Sequence, residues 1–206
     1  RLDWMLEARH DSCDSYQLTK QADVLMAYYL LPRQTLQRIL KRLGCPHDDA
    51  STRRTLAYHL ARITHESSLS KVVCAGALAV IDREASWSYF QEALDTDLGS
   101  PGNGGTQEGV HLGAMSGALD VLQRHYLGVR LELDGLHLFP SPPASLPPVS
   151  LSLLFRQARL HLRLANGALA VRADPGNVDA VPLHYAEGRC QLAPGDSLEI
   201  RCQAPS

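Results

Sequence analysis

The sequence lacks an excess of charge of either sign. Its 20 Lys and Arg residues are balanced by 22 Asp and Glu residues, which gives a formal net charge of -2 over 206 residues. A nucleic-acid-binding surface needs a basic excess to neutralise phosphates, so we expect no nucleic-acid partner. The apolar fraction of 45% is instead typical of a globular protein with a substantial core.

Three further absences narrow the class of protein. No apolar run reaches the ~18 to 20 residues that cross a bilayer, so we expect no membrane partner. The five cysteines show no CxxC spacing, which predicts reduced, mostly buried thiols in a cytoplasmic protein. No initiator Met precedes Arg1, and this predicts that a further segment lies upstream.

The first part of the chain, up to about residue 128, has apolar residues at helical spacing. Six helices are predicted, at 21–31, 35–43, 51–63, 67–81, 85–98 and 108–126. The fourth helix and the start of the sixth have so few polar residues that we expect both to be buried on most sides. The third and fifth have one polar face. This alternation predicts two concentric helix layers.

The second part, from Val129 to Ser206, has apolar residues at a period of two, which indicates strands. Asp134-Gly135 and Asn166-Gly167 are typical two-residue hairpin turns. Strands are predicted at 129–133, 136–138, 160–164, 169–171, 181–185, 188–192 and 197–202, with a stiff proline-rich connector over 140–148. The predicted fold is therefore α+β, with a helical domain at 1–128 and an antiparallel β-sandwich at 129–206.

The first candidate site lies at the start of the first helix, where Lys20 and Gln21 stand together. A cation is mildly unfavourable at a helix N-terminus, so Lys20 needs another reason to be there, such as a bound anion. The alternative is a solvated Lys beside a surface Gln.

The second candidate site is the hydroxyl-rich stretch from Thr64 to Ser70 at the start of the fourth helix. Ser67 and Ser68 can cap the helix, which is the simpler interpretation, or donate to an anion beside free backbone N–H groups. His65 and Glu66 resemble the start of a zinc-protease motif. No second His follows in register, so we expect no metal there.

The third candidate site follows a glycine-rich loop and contains Glu108 and His111. The loop lacks the spacing of a nucleotide-binding P-loop. A plain turn and a hydrogen-bonded core His remain alternatives. The small residues around His111 would also let another molecule approach it closely.

Together, these helix starts predict one anion site. In a ring of alternating inner and outer helices, the ends of the inner helices meet around a central funnel. Lys20, Ser67, Ser68 and His111 could then surround one small anion such as inorganic phosphate.

Three stretches, 20–24 (KQADV), 65–70 (HESSLS) and 109–117 (GVHLGAMSG), resemble in order and spacing the signature stretches of glycoside hydrolase family 65. That family contains inverting phosphorylases of maltose, trehalose, kojibiose and related α-glucosides. Gly128, Asp134-Gly135-Leu136 and Phe139-Pro140 resemble the family's passage into its C-terminal β-domain. The resemblance covers essentially the whole chain.

The resemblance implies that residues 1–128 form the C-terminal half of an (α/α)6 barrel, with about six of its twelve helices, and that residues 129–206 form the C-terminal β-domain. It also implies that the general-acid Glu lies upstream in the same polypeptide. The chain would then contain no catalytic residue and would be inactive in isolation. A homodimer is common in the family.

The resemblance further assigns roles to the candidate residues. Lys20, Ser67, Ser68 and His111 match positions for phosphate, or for phosphate and the donor glucose, and Gln21 matches a position for the donor sugar. His65, Glu66 and Glu108 would orient their neighbours, because an ionised carboxylate beside phosphate is repulsive.

The implied activity is that of a glycosyltransferase-type disaccharide phosphorylase. Such an enzyme cleaves an α-glucoside such as trehalose or maltose into β-glucose 1-phosphate and glucose, with inorganic phosphate as co-substrate and no other cofactor. Two alternatives remain. One is a trehalase-like hydrolase of the same family, in which a carboxylate base replaces part of the phosphate site. The other is a non-catalytic truncated module.

Overall fold

A computed structural model describes residues 2–19, 21–45, 47–65, 67–98 and 109–203. The chain forms two compact units, Arg1–Leu119 and Asp120–Ser206. The first is helical and the second is built of strands, so the α+β class is confirmed. None of the helices among the described residues is long and apolar enough to span a bilayer.

The described part of the chain contains seven α-helices. These are α1 (Leu2–Glu7), α2 (Met26–Leu30), α3 (Arg33–Arg42), α4 (Asp49–Leu60), α5 (Ser68–Leu78), α6 (Arg83–Leu94) and α7 (Leu112–Asp120). Short 3-10 helices lie at Cys13–Ser15 and Asp95–Asp97, and a π-helical segment, Val121–Tyr126, follows α7. All six predicted helices are present, several of them shorter than predicted, whereas α1 was not predicted.

Side-chain caps explain where three of these helices begin. Asp48, Ser67 and Asp82 precede α4, α5 and α6, and each accepts a hydrogen bond from a backbone N–H in the first turn. Such caps satisfy N–H groups that have no partner within the helix. Ser67 therefore has the capping role that the simpler interpretation gave it.

Helix α5 is the centre of the helical unit. Ser70 and residues 72–79 are buried, and α2, α4 and α6 all pack against this helix. The hydroxyl of Ser86 on α6 donates to the carbonyl of Ala75 on α5 at 2.6 Å, with both groups buried. The prediction that this helix is enclosed on most sides is confirmed.

Helix α7 differs from its prediction. Only Ala114 and Ala118 are buried on it, while Leu112 and Leu119 are 74% and 60% exposed. The expectation that its start is buried on most sides is wrong for this chain. Gly113 and Gly117 face Leu69 and Val72 of α5, whereas the side chains of Leu112 and Leu119 are left uncovered.

The strands of the second unit form two four-stranded sheets. One has the order β1 (Val129–Glu132), β2 (Gly135–Leu138), β6 (Val181–Tyr185) and β7 (Gly188–Leu192). The other has the order β3 (Val149–Phe155), β4 (Ala158–Ala165), β5 (Ala168–Ala173) and β8 (Ser197–Arg201). Apolar side chains from both sheets share one core, which contains Leu136, Leu138, Leu160, Leu169, Leu183 and Ile200, all fully buried.

Two expectations for this unit and one for the cysteines of the whole chain are corrected. Strand β3 was not predicted, and it begins directly after the proline-rich connector. The sheets are not wholly antiparallel, since β2 pairs with β6 in parallel. The cysteines are not mostly buried: only Cys74 is buried, Cys13 and Cys45 are exposed, and the other two are intermediate.

Candidate functional site

A short backbone bridge joins the first two candidate segments. Thr19 pairs with Ile63 as an isolated parallel bridge. The N–H of Thr19 donates to the carbonyl of Arg62, and the N–H of Thr64 donates to the carbonyl of Thr19, both at 2.9 Å. Thr19 therefore lies beside the segment that leads into α5. Two segments more than forty residues apart in the sequence meet at one place.

The first turn of α5 presents the hydroxyl groups of the second candidate segment. Ser67 Oγ accepts from the N–H of Leu69 at 3.3 Å, which leaves its own proton available to donate. Ser68 is half-buried at the first helical position. The start of α5 can therefore offer both hydroxyl and backbone donors to an anion.

Three buried polar atoms around this junction have no hydrogen-bond partner among the described residues. They are Thr19 Oγ1, His65 Nδ1 and Ser70 Oγ. Ser70 is only 2% exposed. Buried polar atoms are usually satisfied by protein, water or ligand, so these three atoms have hydrogen-bonding capacity that a water molecule or a ligand can use.

Helix α7 touches the same end of α5. A Cβ atom at Gly113 would lie 3.2 Å from Leu69 Cδ2, and one at Gly117 would lie 2.7 Å from Val72 Cγ1. The two helices can approach this closely because α7 has glycine at both positions. The first turn of α7, which His111 precedes, is thereby brought beside the first turn of α5, where Ser68 lies.

His111 is held by Asp97, a residue that the sequence analysis did not single out. Its Nδ1 lies 2.7 Å from Asp97 Oδ1, and its backbone N–H donates to Asp97 Oδ2 at 3.0 Å. These hydrogen bonds from His111 hold the pKa of Asp97 below its usual range, so the carboxylate stays ionised at neutral pH. Because Nδ1 is engaged, Nε2 is the ring atom that can meet a ligand.

His65 occupies a constrained position at the junction. Its backbone has φ of 53°, in the left-handed region, and its ring lies 5.6 Å from that of Tyr89. Burial, and then the charge of Lys71, lower the pKa of His65, which favours the neutral ring. Lys71 forms an ion pair of 2.9 Å with Glu92 on α6, so its charge is largely balanced within the protein.

The predicted residues thus fall into two groups. Gln21 is exposed just after the Thr19 bridge, and His65, Ser67, Ser68 and His111 lie at helix starts that meet at one end of α5. Lys20, Glu66 and Glu108 lie outside the described residues. Asp97 is the added member, and only its spatial position reveals it, since fourteen residues separate it from His111.

A solved structure shares this fold. A putative kojibiose phosphorylase from human microbiome superposes with a TM-score of 0.68 at 21% identity, and the match covers 89% of this chain and 23% of that one. The two chains therefore share the arrangement of helices followed by two sheets.

The chain belongs to glycosyl hydrolase family 65. The sequence model of that family's central catalytic domain matches residues 1–120. The resemblance drawn from the three signature stretches is thereby confirmed.

Curated relatives agree with this membership. The chain is 38% identical to an uncharacterized glycosyl hydrolase of Mycobacterium tuberculosis (strain ATCC 25618 / H37Rv), over 98% of this chain and 15% of the relative. It is 30% identical to a trehalose 6-phosphate phosphorylase of Lactococcus lactis subsp. lactis, over 84% of this chain and 23% of the relative. The chain thus spans less than a quarter of the length of these relatives.

Proposed function

We propose that this chain supplies the phosphate-binding half of the active site of an inverting disaccharide phosphorylase. The enzyme cleaves an α-glucoside, trehalose-like or maltose-like, with inorganic phosphate and releases β-glucose 1-phosphate and glucose. The observations that support this most directly are that Thr19 is bridged to Ile63 just before α5 and that Gly113 of α7 packs against Leu69 in the first turn of α5. Family membership supports the reaction class.

The groups at this place suit a phosphate ion. Phosphate is best bound by several N–H and O–H donors together with positive charge. Ser67, Ser68 and the first-turn N–H groups of α5 supply donors. In this proposal Lys20 supplies the cation, and Gln21 hydrogen-bonds the donor sugar.

His111 completes the phosphate site in this proposal. Because Nδ1 donates its hydrogen bond to Asp97, the ring presents Nε2 to the phosphate and hydrogen-bonds one of its oxygens. His65, Glu66 and Glu108 act as orienting residues around these groups.

An inverting mechanism needs one protein carboxyl when phosphate is the nucleophile. Phosphate attacks the face of the sugar opposite the leaving oxygen, and a general acid protonates that oxygen. We place the acid upstream in the same polypeptide, so this chain by itself is inactive. Phosphate is the co-substrate, and the reaction needs no other cofactor.

The remaining barrel helices would come from the same upstream part. Leu98 and Leu112 are 81% and 74% exposed, and an exposed apolar surface of this kind favours a partner that covers it. We therefore propose that residues 1–128 form half of an (α/α)6 barrel and residues 129–206 a β-sandwich domain. The free thiols fit a cytoplasmic enzyme, and the family resemblance favours a homodimer.

A hydrolase of the same family is the second candidate, and one observation favours it. An imidazole held by a carboxylate, as His111 is held by Asp97, can also act as a general base toward water. A trehalase-like enzyme would use such a base to activate a water molecule, and that water would replace phosphate as the nucleophile.

The two functions are separated by the requirement for phosphate. The complete gene product is incubated with trehalose, trehalose 6-phosphate, maltose or kojibiose, with and without inorganic phosphate. We expect β-glucose 1-phosphate to form only when phosphate is present. Release of glucose at the same rate without phosphate would establish the hydrolase instead.

Substitutions test the phosphate site within that assay. Ser68→Ala and His111→Ala should each raise the KM for phosphate by about 10- to 100-fold, since each removes a hydrogen bond to a charged group. The matched control is Ser88→Ala, an exposed serine on α6, which should leave KM unchanged. If Ser68→Ala and His111→Ala behave like the control, the proposed phosphate site is wrong.

A further inference from the structure

Two histidines and an aspartate meet on the outer face of the first sheet. His137 Nε2 lies 2.9 Å from Asp134 Oδ1, and His184 Nε2 lies 3.6 Å from Asp134 Oδ2. The two imidazole rings stack with centroids 4.3 Å apart and planes at 11°. The three potential ligand atoms all lie within 4.8 Å of one another. Both histidines thus direct the same ring nitrogen at one carboxylate.

The strand pairing produces this cluster. His137 on β2 and His184 on β6 are register partners in the parallel pair, so their side chains emerge side by side on one face. Asp134 belongs to the hairpin turn that precedes β2, three residues before His137. The cluster therefore combines one short-range pair with one neighbour from nearly fifty residues away.

Gly135 permits the close approach. Its backbone has φ of 155°, and a Cβ atom there would lie 2.6 Å from the carbonyl oxygen of Pro182 and 3.2 Å from Cδ2 of His184. Any other residue at position 135 would push β6 and the His184 ring away from the turn. The turn sequence Asp134-Gly135 thus supplies both a ligand and the space for its partner.

The donor set of two imidazole nitrogens and one carboxylate is one that zinc and related divalent ions prefer. Tetrahedral zinc with bonds of about 2.1 Å needs donors roughly 3.4 Å apart. The two His–Asp pairs, at 2.9 and 3.6 Å, are already close to that separation, so only the two imidazole nitrogens, which lie within 4.8 Å of each other, would have to approach by up to about 1.5 Å. Asp134 is free to move because its side chain is 61% exposed, and the rings can tilt about their side-chain bonds. Mg²⁺ and Ca²⁺ prefer oxygen ligands and fit less well.

Two arginines beside this cluster lower its affinity for a divalent cation. Arg130 is the register partner of His137 on β1, and Arg189 is that of His184 on β7. Both arginines are exposed, so their charges are screened by water while still opposing a dication. We therefore expect weaker binding than at a buried structural zinc site.

We propose that Asp134, His137 and His184 bind one Zn²⁺-class ion that fastens the β1–β2 turn to β6. Three protein ligands leave a fourth position for water. The site lies within the β-sandwich unit and is independent of the proposed phosphate site. None of these residues belongs to the stretches expected to bind substrate.

Isothermal titration calorimetry of the complete gene product with Zn²⁺ alone tests this proposal. Exposed thiols also bind zinc, so Cys13→Ser and Cys45→Ser are built into every protein compared. We expect one ion per chain, and binding that is weaker by at least about 10-fold in His184→Ala and in Asp134→Asn. Mg²⁺ should give no such binding.

The matched control is His161→Ala. His161 Nε2 lies 3.3 Å from Asp174 Oδ2 on the other sheet, and no third ligand joins this pair among the described residues. Zinc binding should be unchanged in this variant. Circular dichroism of each variant without metal checks that the variant remains folded. If an alanine variant is not folded, Asp134→Asn, the mildest of the changes, tests the site.

Two outcomes would overturn the proposal. One is an absence of Zn²⁺ binding by the reference protein, in which case the cluster is only a hydrogen-bonded turn. The other is binding that persists unchanged in both His184→Ala and Asp134→Asn, since the ion would then be held elsewhere. Neither result bears on whether the enzyme requires phosphate.

Discussion

The carboxylate of Asp97 receives two hydrogen bonds from one residue, His111: one from Nδ1 at 2.7 Å and one from the backbone N–H at 3.0 Å. This pair fixes both the ring and the backbone of His111 just before α7 begins. Because both its ring and its backbone are fixed, His111 needs little further ordering when a ligand binds.

Replacement of Asp97 by Asn should make the stability difference from wild type depend on pH. The folded-state pKa of Asp97 is lowered by its hydrogen bonds from His111, so the ionised carboxylate contributes stability above its unfolded pKa of about 3.9. That contribution is lost as the pH falls through the lower folded-state value. The melting temperatures of wild type and Asp97→Asn should therefore differ most at pH 5 to 7, and the difference between them should shrink below about pH 4.

The control for this prediction is Asp179→Asn, at an exposed position of the β-sandwich unit. Its melting temperature should follow that of wild type across the same pH range. A gap between Asp97→Asn and wild type that stayed constant down to about pH 2 would contradict the assignment of the ionised carboxylate.

The contact between α5 and α7 predicts opposite responses at two glycines. Ala at position 117 would place its Cβ 2.7 Å from Cγ1 of Val72, a stiff side chain, so Gly117→Ala should destabilise by about 1 to 3 kcal/mol. Ala at position 113 would meet only the flexible end of Leu69 at 3.2 Å, so Gly113→Ala should be near neutral or gain from better helix propensity. Chemical denaturation measures both changes, and equal losses at the two positions would show that the helices do not approach as described.

Much of the helical unit could be predicted from sequence because its signals are local. The apolar run of α5 and the capping residue Ser67 are both visible in the primary structure. Asp97 could not be found this way, since its partner His111 lies fourteen positions later in the sequence and no periodic pattern joins them. The bridge between Thr19 and Ile63 is equally non-local, and only the convergence argument from helix starts pointed toward it.

The strand unit shows the same division. The predicted bounds of β6 and β7, Val181–Tyr185 and Gly188–Leu192, agree with the structure because turn residues surround two short alternating segments. Strand β3, Val149–Phe155, lies directly after the predicted connector, and no strand was predicted there. No local sequence pattern predicts that β2 pairs in parallel with β6, so the stacking of His137 on His184 was not predicted.

Gly128 should be much less tolerant of substitution than another glycine with similar backbone geometry. Its φ is 66°, and a Cβ atom there would lie 2.0 Å from the carbonyl oxygen of Phe139, which is backbone and cannot turn aside. Gly167 has φ of 74° with no atom within 4 Å of a Cβ. Gly167→Ala should therefore cost only about 1 kcal/mol of conformational strain, whereas Gly128→Ala should cost roughly 3 kcal/mol or more. Urea unfolding compares the two, and similar losses would refute the close approach to Phe139.

The five thiols should react with alkylating reagents at widely different rates. Cys13 and Cys45 are exposed, whereas Cys74 is fully buried on α5 and has its pKa raised to about 12, first by burial and then by the charge of Glu92. The thiolate is the reactive form, so at pH 8 Cys74 should be essentially inert in the folded protein, while burial slows Cys190 and Cys202 to an intermediate degree. Iodoacetamide labelling followed by peptide mass spectrometry orders the five sites, and labelling in denaturant is the control in which all should react alike. Rapid labelling of Cys74 under native conditions would mean that α5 is not enclosed by α2, α4 and α6 as the structure has it.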